Sequence, residues 1–467
     1  MEKILNYIDS KKDEHLAQLI EFLKFPSISS DSNYINGMKD CANWLVEQIK
    51  SIGFKNVGTR KNVATIKQDD GTIIEREGHP IVYGEWLEAG PDAKTILVYG
   101  HYDVQPVDPI NLWHSKPFEP EIRDGRLYGR GTADDKGQLF CHIKSLEAYM
   151  KVYGKLPVNV KLLFEGEEEA ESSLDEFIAK NQDLLKCDYV VISDTEWFAE
   201  GVPSICYGLR GIAYVEVKVT GQNRDLHSGT FGGAVDNPLQ VLAWMITQLK
   251  DKYGRVTVPE FYDDVVPLTE EERKEFAKLP FDDEEYRKDL EVGALSGEIG
   301  YTTLERVWCR PSLDVHGIIG GYTGEGAKTV ISTTASAKIS TRLVPHQNPE
   351  KISRDLANYL RKIAPPTVKV EVTELHYGSP VLLDMKGKGI TAAIDALKEA
   401  FGKEVVFMRE GGSIPIVSVF KEVLKAPSVL MGLGLPKDNI HSPNESLKLE
   451  NFFGGIRASA LFFNNMK

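Results

Sequence analysis

From Lys94 onward the chain contains short, unbroken apolar runs, and each ends in side chains that can hold a cation or move a proton. Thr95-Ile96-Leu97-Val98-Tyr99-Gly100 runs into His101-Tyr102-Asp103, Val158 to Phe164 into Glu165-Gly166-Glu167-Glu168-Glu169, and Tyr189-Val190-Val191-Ile192 into Ser193-Asp194. Runs of this kind are strands buried on both faces, and a helical stretch from Gly137 to Val152 separates the first two. Strands alternating with helices predict an α/β layer structure around a mixed, largely parallel sheet. Ligands of such sheets bind beyond the carboxyl ends of the strands, where these acids and this histidine fall.

Near Gly211 the pattern changes. Ala213 to Val219 alternates apolar with polar or half-exposed positions, which describes a strand with one solvated face. A helix over Pro238 to Lys250, strands over Leu313 to Ile319 and Ala335 to Leu343, a helix over Pro349 to Ile363 and a strand over Val368 to Leu375 complete a split βαββαβ unit. After Gly378 the buried α/β pattern resumes, with a helix over Gly389 to Phe401 and a strand over Glu404 to Phe407. The expected organisation is one domain of residues 1–210 and 376–467, interrupted by an inserted α+β domain of residues 211–375. Residues 251–310, with the run Asp282-Asp283-Glu284-Glu285, read as a long solvated loop carrying one amphipathic helix. At the start, Ile4, Ile8, Leu16, Leu19, Ile20 and Leu23 predict one amphipathic helix ending at Pro26, and Asp40 to Ile52 a second ending at Gly53.

Composition narrows the function classes. Fifty-five basic against sixty-nine acidic side chains leave a net charge of −14, which opposes nucleic acid and anionic lipid, and no Lys/Arg cluster offsets it. The opening residues lack the apolar core of a secretory signal, and no window approaches the roughly 18 apolar residues of a membrane span. Five cysteines without a Cys-x-x-Cys pair fit reduced thiols, so a cytoplasmic location is expected and Asn444-Glu445-Ser446 is a chance glycosylation triplet.

His101 and Asp103 lie two apart, on the same side of an extended chain, so Asp103 could hold the second ring nitrogen of His101 and aim the first at a metal. Asp134 and Asp135 stand in the glycine-rich turn Gly129 to Gly137 ahead of a helix, where an acid is either an N-cap or a ligand for two cations. Glu167-Glu168-Glu169 is either a solvated acidic turn or a set of like charges relieved by a cation. Each is ordinary alone; together they describe a metal site. Imidazole and carboxylate donors without thiolates suit Zn²⁺ or Mn²⁺, and there are enough for two ions.

These residues resemble the M20 family of metallopeptidases, most closely its cytosolic nonspecific dipeptidase and carnosinase branch. The resemblance spans nearly the whole chain. It is carried by Tyr99-Gly-His-Tyr-Asp-Val-Gln-Pro106, Leu127-Tyr-Gly-Arg-Gly-Thr-Ala-Asp-Asp-Lys-Gly137, Glu165-Gly-Glu-Glu-Glu-Ala-Glu-Ser172, Asp225-Leu-His-Ser-Gly229, Arg409-Glu-Gly-Gly-Ser-Ile-Pro415 and Asn439-Ile-His-Ser-Pro-Asn-Glu445. It implies that Asp134 bridges two metals, that His101 and Asp194 complete one site and Glu169 and His441 the other, and that Glu168 is the general base. The run of glutamates leaves that register open by one; Ser172 sets it, and Glu171, where the family usually has a small residue, departs from the pattern. A cis peptide between Asp134 and Asp135 is implied, as is His227 reaching an oxyanion from the other subunit of a homodimer. Taken alone, His227 is a turn residue. Arg342 and the loop Gly411-Gly412-Ser413 are implied to lie against a substrate's C-terminal carboxylate, although without the family Arg342 reads as an exposed strand arginine. The inserted domain is then a lid that also dimerises.

The expected function is metal-dependent hydrolysis of dipeptides, with a small peptide as substrate and two divalent ions per subunit. The rival within the family removes acyl groups from N-acyl amino acids. A nucleotide site at Gly321 to Thr329 is rejected, because Ala327 interrupts the phosphate-loop pattern and a strand follows. His15, His79, His142, His346 and His376 are not expected to be ligands, and His114 and His316 are left unassigned.

Overall fold

The computed structural model describes every residue except 68–71, 171 and 413. The chain forms two compact units, Met1–Tyr207 with Leu383–Met408 and Val419–Lys467, and Gly208–Leu382 with Arg409–Ser418.

In the first unit the apolar runs become the strands Asn159–Glu165, Thr95–His101, Tyr189–Ile192 and Ser428–Leu430, adjacent in that order and mutually parallel. Antiparallel strands flank them: Lys55–Arg60 pairs with Ile81–Trp86, which pairs with Asn159–Glu165. All seven residues of Asn159–Glu165 are buried, which explains why this strand shows no alternation in sequence. The helix Lys136–Tyr153 is buried from Lys136 to Tyr149, and the C-terminal helix Leu449–Asn465 packs against it. His142 lies in that contact, its Nδ1 2.8 Å from Ser459 Oγ and its Nε2 2.8 Å from Ser193 Oγ. Both ring nitrogens are therefore engaged in packing.

One expected helix is two. Lys11 leaves helical geometry at φ −111°, dividing Glu2–Ser10 from Lys12–Leu23. Ile4 and Ile8 on the first piece and Leu19, Phe22 and Leu23 on the second are all fully buried, and the break lets both faces turn inward.

The strand Arg126–Tyr128 pairs antiparallel with Ser446–Lys448, so segments more than three hundred residues apart meet beside the loop that precedes helix Lys136–Tyr153. This pairing delivers His441 and Glu445 to Asp134.

The second unit holds a four-stranded antiparallel sheet in the order Ser312–Gly320, Thr334–Leu343, Gly211–Thr220, Lys369–Gly378. Ala213, Val215, Val217 and Val219 face the helices Pro238–Thr247 and Pro349–Ile363, and the alternate residues face away. Residues 251–310 correct the expectation of a solvated loop. They form the short helices Glu270–Phe276, Asp283–Asp289 and Thr303–Cys309, with Phe261, Phe276, Leu279 and Trp308 buried. The polar text is the outer face of these helices and their caps, Thr269 with Glu272 and Thr302 with Glu305.

Leu162 is fully buried in the central sheet of the first unit. Leu162→Ala is expected to cost that unit about 2–5 kcal/mol against urea, while Lys338→Ala, on an exposed strand position of the second unit, leaves its midpoint unchanged.

Candidate metal centre

His101 is the last residue of its strand and is fully buried. Its Nδ1 sits 3.1 Å from the backbone carbonyl of Asp103 and 3.4 Å from Asp103 Oδ1, which turns Nε2 toward Asp134 and Asp194. That Nε2 lies 3.0 Å from Asp134 Oδ1 and 3.7 Å from Asp194 Oδ2, yet has no hydrogen-bond partner among the described residues. The other oxygen of Asp134, Oδ2, lies 2.9 Å from His441 Nε2, and the same nitrogen is 3.2 Å from Glu169 Oε1. Two triads result, His101 with Asp134 and Asp194, and Asp134 with Glu169 and His441, and within each the facing atoms lie within 4.8 Å of one another. Asp134 is common to both.

The turn at Asp134 settles the open alternative of an N-cap. The capping position belongs to Asp135, and its side chain makes no cap hydrogen bond. Instead Asp135 Oδ2 accepts from the His101 backbone N–H at 3.2 Å, against Gly100, where any Cβ would stand 2.7 Å from that oxygen. The peptide between Asp134 and Asp135 is cis.

Asp103 is more than a partner for His101. Its Oδ1 accepts the backbone N–H of Glu168 at 3.3 Å, and its Oδ2 accepts that of Glu169 at 3.0 Å and the Ser29 hydroxyl at 2.7 Å. One buried carboxylate thus fixes both the histidine and the glutamate turn. Glu168 joins neither triad, while Glu169 joins His441, and Gln105 Nε2 donates to Glu169 Oε2 at 2.7 Å.

Two contributors carried no assignment from sequence. Gln105 is one. Glu445 is the other: fully buried, it takes a hydrogen bond from Arg130 at 2.8 Å and from the backbone N–H groups of Gly131, Ala133 and Asp134 at 2.9, 2.9 and 3.2 Å. Its position four residues after His441, closing the same motif, was the available signal.

The electrostatics follow from crowding. Burial pushes the Glu168 carboxyl well above its usual range, and Asp194, Glu169 and Asp134 add to the rise against the pull of His101. Burial and the charge of Asp134 lift Glu169 to about 7. Burial would raise Asp134, but the imidazoles of His101 and His441 hold it below the ordinary carboxylate range. Burial would lower His101, but Asp103, Asp134 and Asp194 push it well up, and hydrogen bonds to Asp134 and Glu169 raise His441 to about 10.

The remaining predicted residues belong to the second unit. His227 is exposed and precedes the short helix Ser228–Phe231, its Nδ1 accepting the Gly229 N–H at 3.0 Å. In the neutral ring this leaves Nε2 as the donor. Arg342 stands on the outward face of its strand, opposite Ile212 and Ser312; burial lowers its pKa and Asp314 opposes the fall. Arg210 donates from its backbone N–H to the Gly412 carbonyl at 3.0 Å and from Nε to the Gly411 carbonyl at 3.0 Å. Ser413 lies outside the described residues, as does Glu171.

The donor set fits divalent cations. The buried Nε2 of His101 without a hydrogen-bond partner, the two-sided Asp134 and the crowded carboxylates are what hard or borderline cations relieve. Without cations His441 keeps its proton to about pH 10 and Glu169 to about pH 7, so binding must expel protons. Affinity of cation-free protein for Mn²⁺ is therefore expected to rise with pH through 7 toward 10, with protons released on titration near pH 7. Weakly buffered titration measures this, and binding without proton release would contradict it.

Comparison with known proteins accords with this geometry. The family model described as peptidase family M20/M25/M40 matches residues 97–465. The chain is 34% identical to the human Beta-Ala-His dipeptidase, over 100% of this chain and 92% of that one. It is likewise 34% identical to the Cys-Gly metallodipeptidase DUG1 of Saccharomyces cerevisiae, over 98% and 96%. Among solved structures, the yeast di-peptidase Dug1p superposes with a TM-score of 0.85 at 32% identity, covering 99% of this chain and 98% of that one. The M20 metallo-carboxypeptidase Sso-CP2 of Sulfolobus solfataricus gives 0.84 at 35%, covering 97% and 99%. The chain belongs to peptidase family M20/M25/M40.

Proposed function

We propose that this protein is a dipeptidase that works with two divalent cations, zinc or manganese. The observation that carries the reading is the pair of triads sharing Asp134, joined to full-length similarity with named metallodipeptidases. His101, Asp134 and Asp194 would hold one cation and Asp134, Glu169 and His441 the other. Bound there, the cations would polarise the scissile carbonyl and make the attacking water more acidic.

The chain's own groups do the rest. Glu168 is the general base: its carboxylate takes a proton from the attacking water and returns it to the leaving amine. Asp103 orients both His101 and the turn bearing Glu168. His227, with Nε2 as donor, stabilises the oxyanion from the other subunit of a homodimer. Arg342 supplies a planar fork, and Gly411, Gly412 and Ser413 supply backbone N–H groups, for the substrate's C-terminal carboxylate. Residues 211–375 serve as lid and dimerisation domain to a catalytic domain of 1–210 and 376–467. All five cysteines are free thiols, which supports a cytoplasmic setting. Among the described residues no helix is long and apolar enough to cross a membrane.

Two experiments test the reading. Purified protein with Mn²⁺ or Zn²⁺ is expected to hydrolyse a plain dipeptide and to leave its N-acetylated counterpart nearly untouched, with chelator abolishing the activity. Preferential cleavage of the acetylated peptide would reassign the protein to deacylases or carboxypeptidases. Separately, Glu168→Gln is expected to retain both cations by elemental analysis while losing activity by about 10²–10⁴-fold; Glu169→Ala is expected to lose a cation. The opposite pattern exchanges the two roles.

A further inference from the structure

The insertion 251–310 is folded against the loop that the proposed function assigns to the substrate's carboxylate, and its contacts there are specific. Glu272, on the helix Glu270–Phe276, divides its carboxylate: Oε2 accepts the Thr269 N–H at 3.0 Å and Oε1 accepts Nη2 of Arg409. Arg409 is 7% exposed and stands two residues before Gly411. Its stem lies over Gly208, where a Cβ would come within 2.9 Å of Arg409 Cδ, so a larger residue there would force the arginine to shift.

Gly411 itself is pressed between two neighbours. A Cβ there would meet Val307 Cγ1, on the helix Thr303–Cys309, at 3.2 Å and Arg210 Nη2 at 3.0 Å. Arg210 holds the carbonyls of Gly411 and Gly412. Because the peptide is trans, the Gly412 N–H points away from the guanidinium that binds the Gly411 carbonyl. The insertion is held by contacts of its own: Phe276 meets Trp308 edge-on at 5.2 Å, Arg310 donates two hydrogen bonds to Glu298 at 2.7 and 2.9 Å, and Arg273 pairs with Glu305 at 3.1 Å.

Two consecutive glycines make a loop that loses much conformational entropy on ordering, and N–H groups recognise a carboxylate well only when fixed beforehand. We infer that the insertion 251–310 is a brace for the Gly411–Gly412 loop, with Glu272 and Arg409 as its positioning pair, and that it sets the affinity for the substrate's free C-terminal carboxylate. This rests on the reading of that loop as the carboxylate site. Neither residue touches the reacting atoms, so their loss acts on substrate binding and not on the chemical step.

The experiment compares a dipeptide with the same dipeptide carrying a C-terminal amide, in the Mn²⁺-loaded enzyme, for wild type, Glu272→Gln, and the double variant Glu272→Gln with Arg409→Gln. The double variant removes the charge that the single one leaves buried, so it keeps the test valid if the single variant folds poorly. Expected is a rise in KM for the free dipeptide of about tenfold, with kcat within about twofold and the kinetics of the amide unchanged. Equal shifts for acid and amide, or none for either, would overturn the brace. Wild type that handles acid and amide alike would instead remove the carboxylate site, and the brace with it.

Discussion

Like charges at the carboxyl ends of neighbouring strands repel, and a sheet buried on both faces gives them little water to dilute that repulsion. Asp134, Glu168, Glu169 and Asp194 gather around His101 and His441; burial leads the rise of Glu168 and Glu169, neighbouring carboxylates add to it, and carboxylates of the same cluster push the two imidazoles up, so all four shifts run upward. A fold that keeps such a cluster does so because positive charge resolves it. The histidines meet part of that need when protonated. Divalent cations meet more of it, and they compete for the same nitrogens and oxygens as the protons.

Holding the cluster open between these states needs neighbours that do not move. Asp103 ties the end of one strand to the turn after another, through a histidine and two backbone N–H groups. Glu445 does the same for the Asp134 loop, collecting three backbone N–H groups and the Arg130 guanidinium. Both acids are wholly buried and both spend their acceptor capacity on backbone, which suits charges whose task is to fix a shape. They frame the cluster without joining either triad.

What could be read from the sequence follows from how local each signal is. The buried strands announced themselves because burial on both faces removes polar residues from a continuous run, and their ends located His101, Glu168, Glu169 and Asp194. Asp134 was ambiguous, since an acid ahead of a helix serves equally as a cap; the chain resolves it by placing Asp135 at the cap with its carboxylate turned to the His101 backbone. His441 was reached through resemblance alone, for nothing near it in sequence reports that Arg126–Tyr128 pairs with Ser446–Lys448. The work of Gln105 and Glu445 was hidden for the same reason: each acts on a residue far along the chain. The insertion reads as a solvated loop because composition averages over faces. Its acidic run sits on the exposed helix Asp283–Asp289, while Phe261, Phe276, Leu279 and Trp308, scattered through polar text, make its interior.

The folded insertion bears on how the proposed carboxylate site is built. Arg342 projects from a sheet strand, whose ladder already fixes it, whereas Gly411 and Gly412 have no ladder of their own. On the proposed reading the loop presents N–H groups to a ligand, glycine side chains lend it no stiffness, and at Gly411 a larger residue would crowd Val307 and Arg210. Rigidity has to come from outside the loop. Arg210 supplies it through the carbonyls, and the insertion supplies it through Val307 and the pairing of Glu272 with Arg409. A long insertion is costly to order, and packing against a loop that cannot order itself is a physical reason for it to fold as a compact helical block.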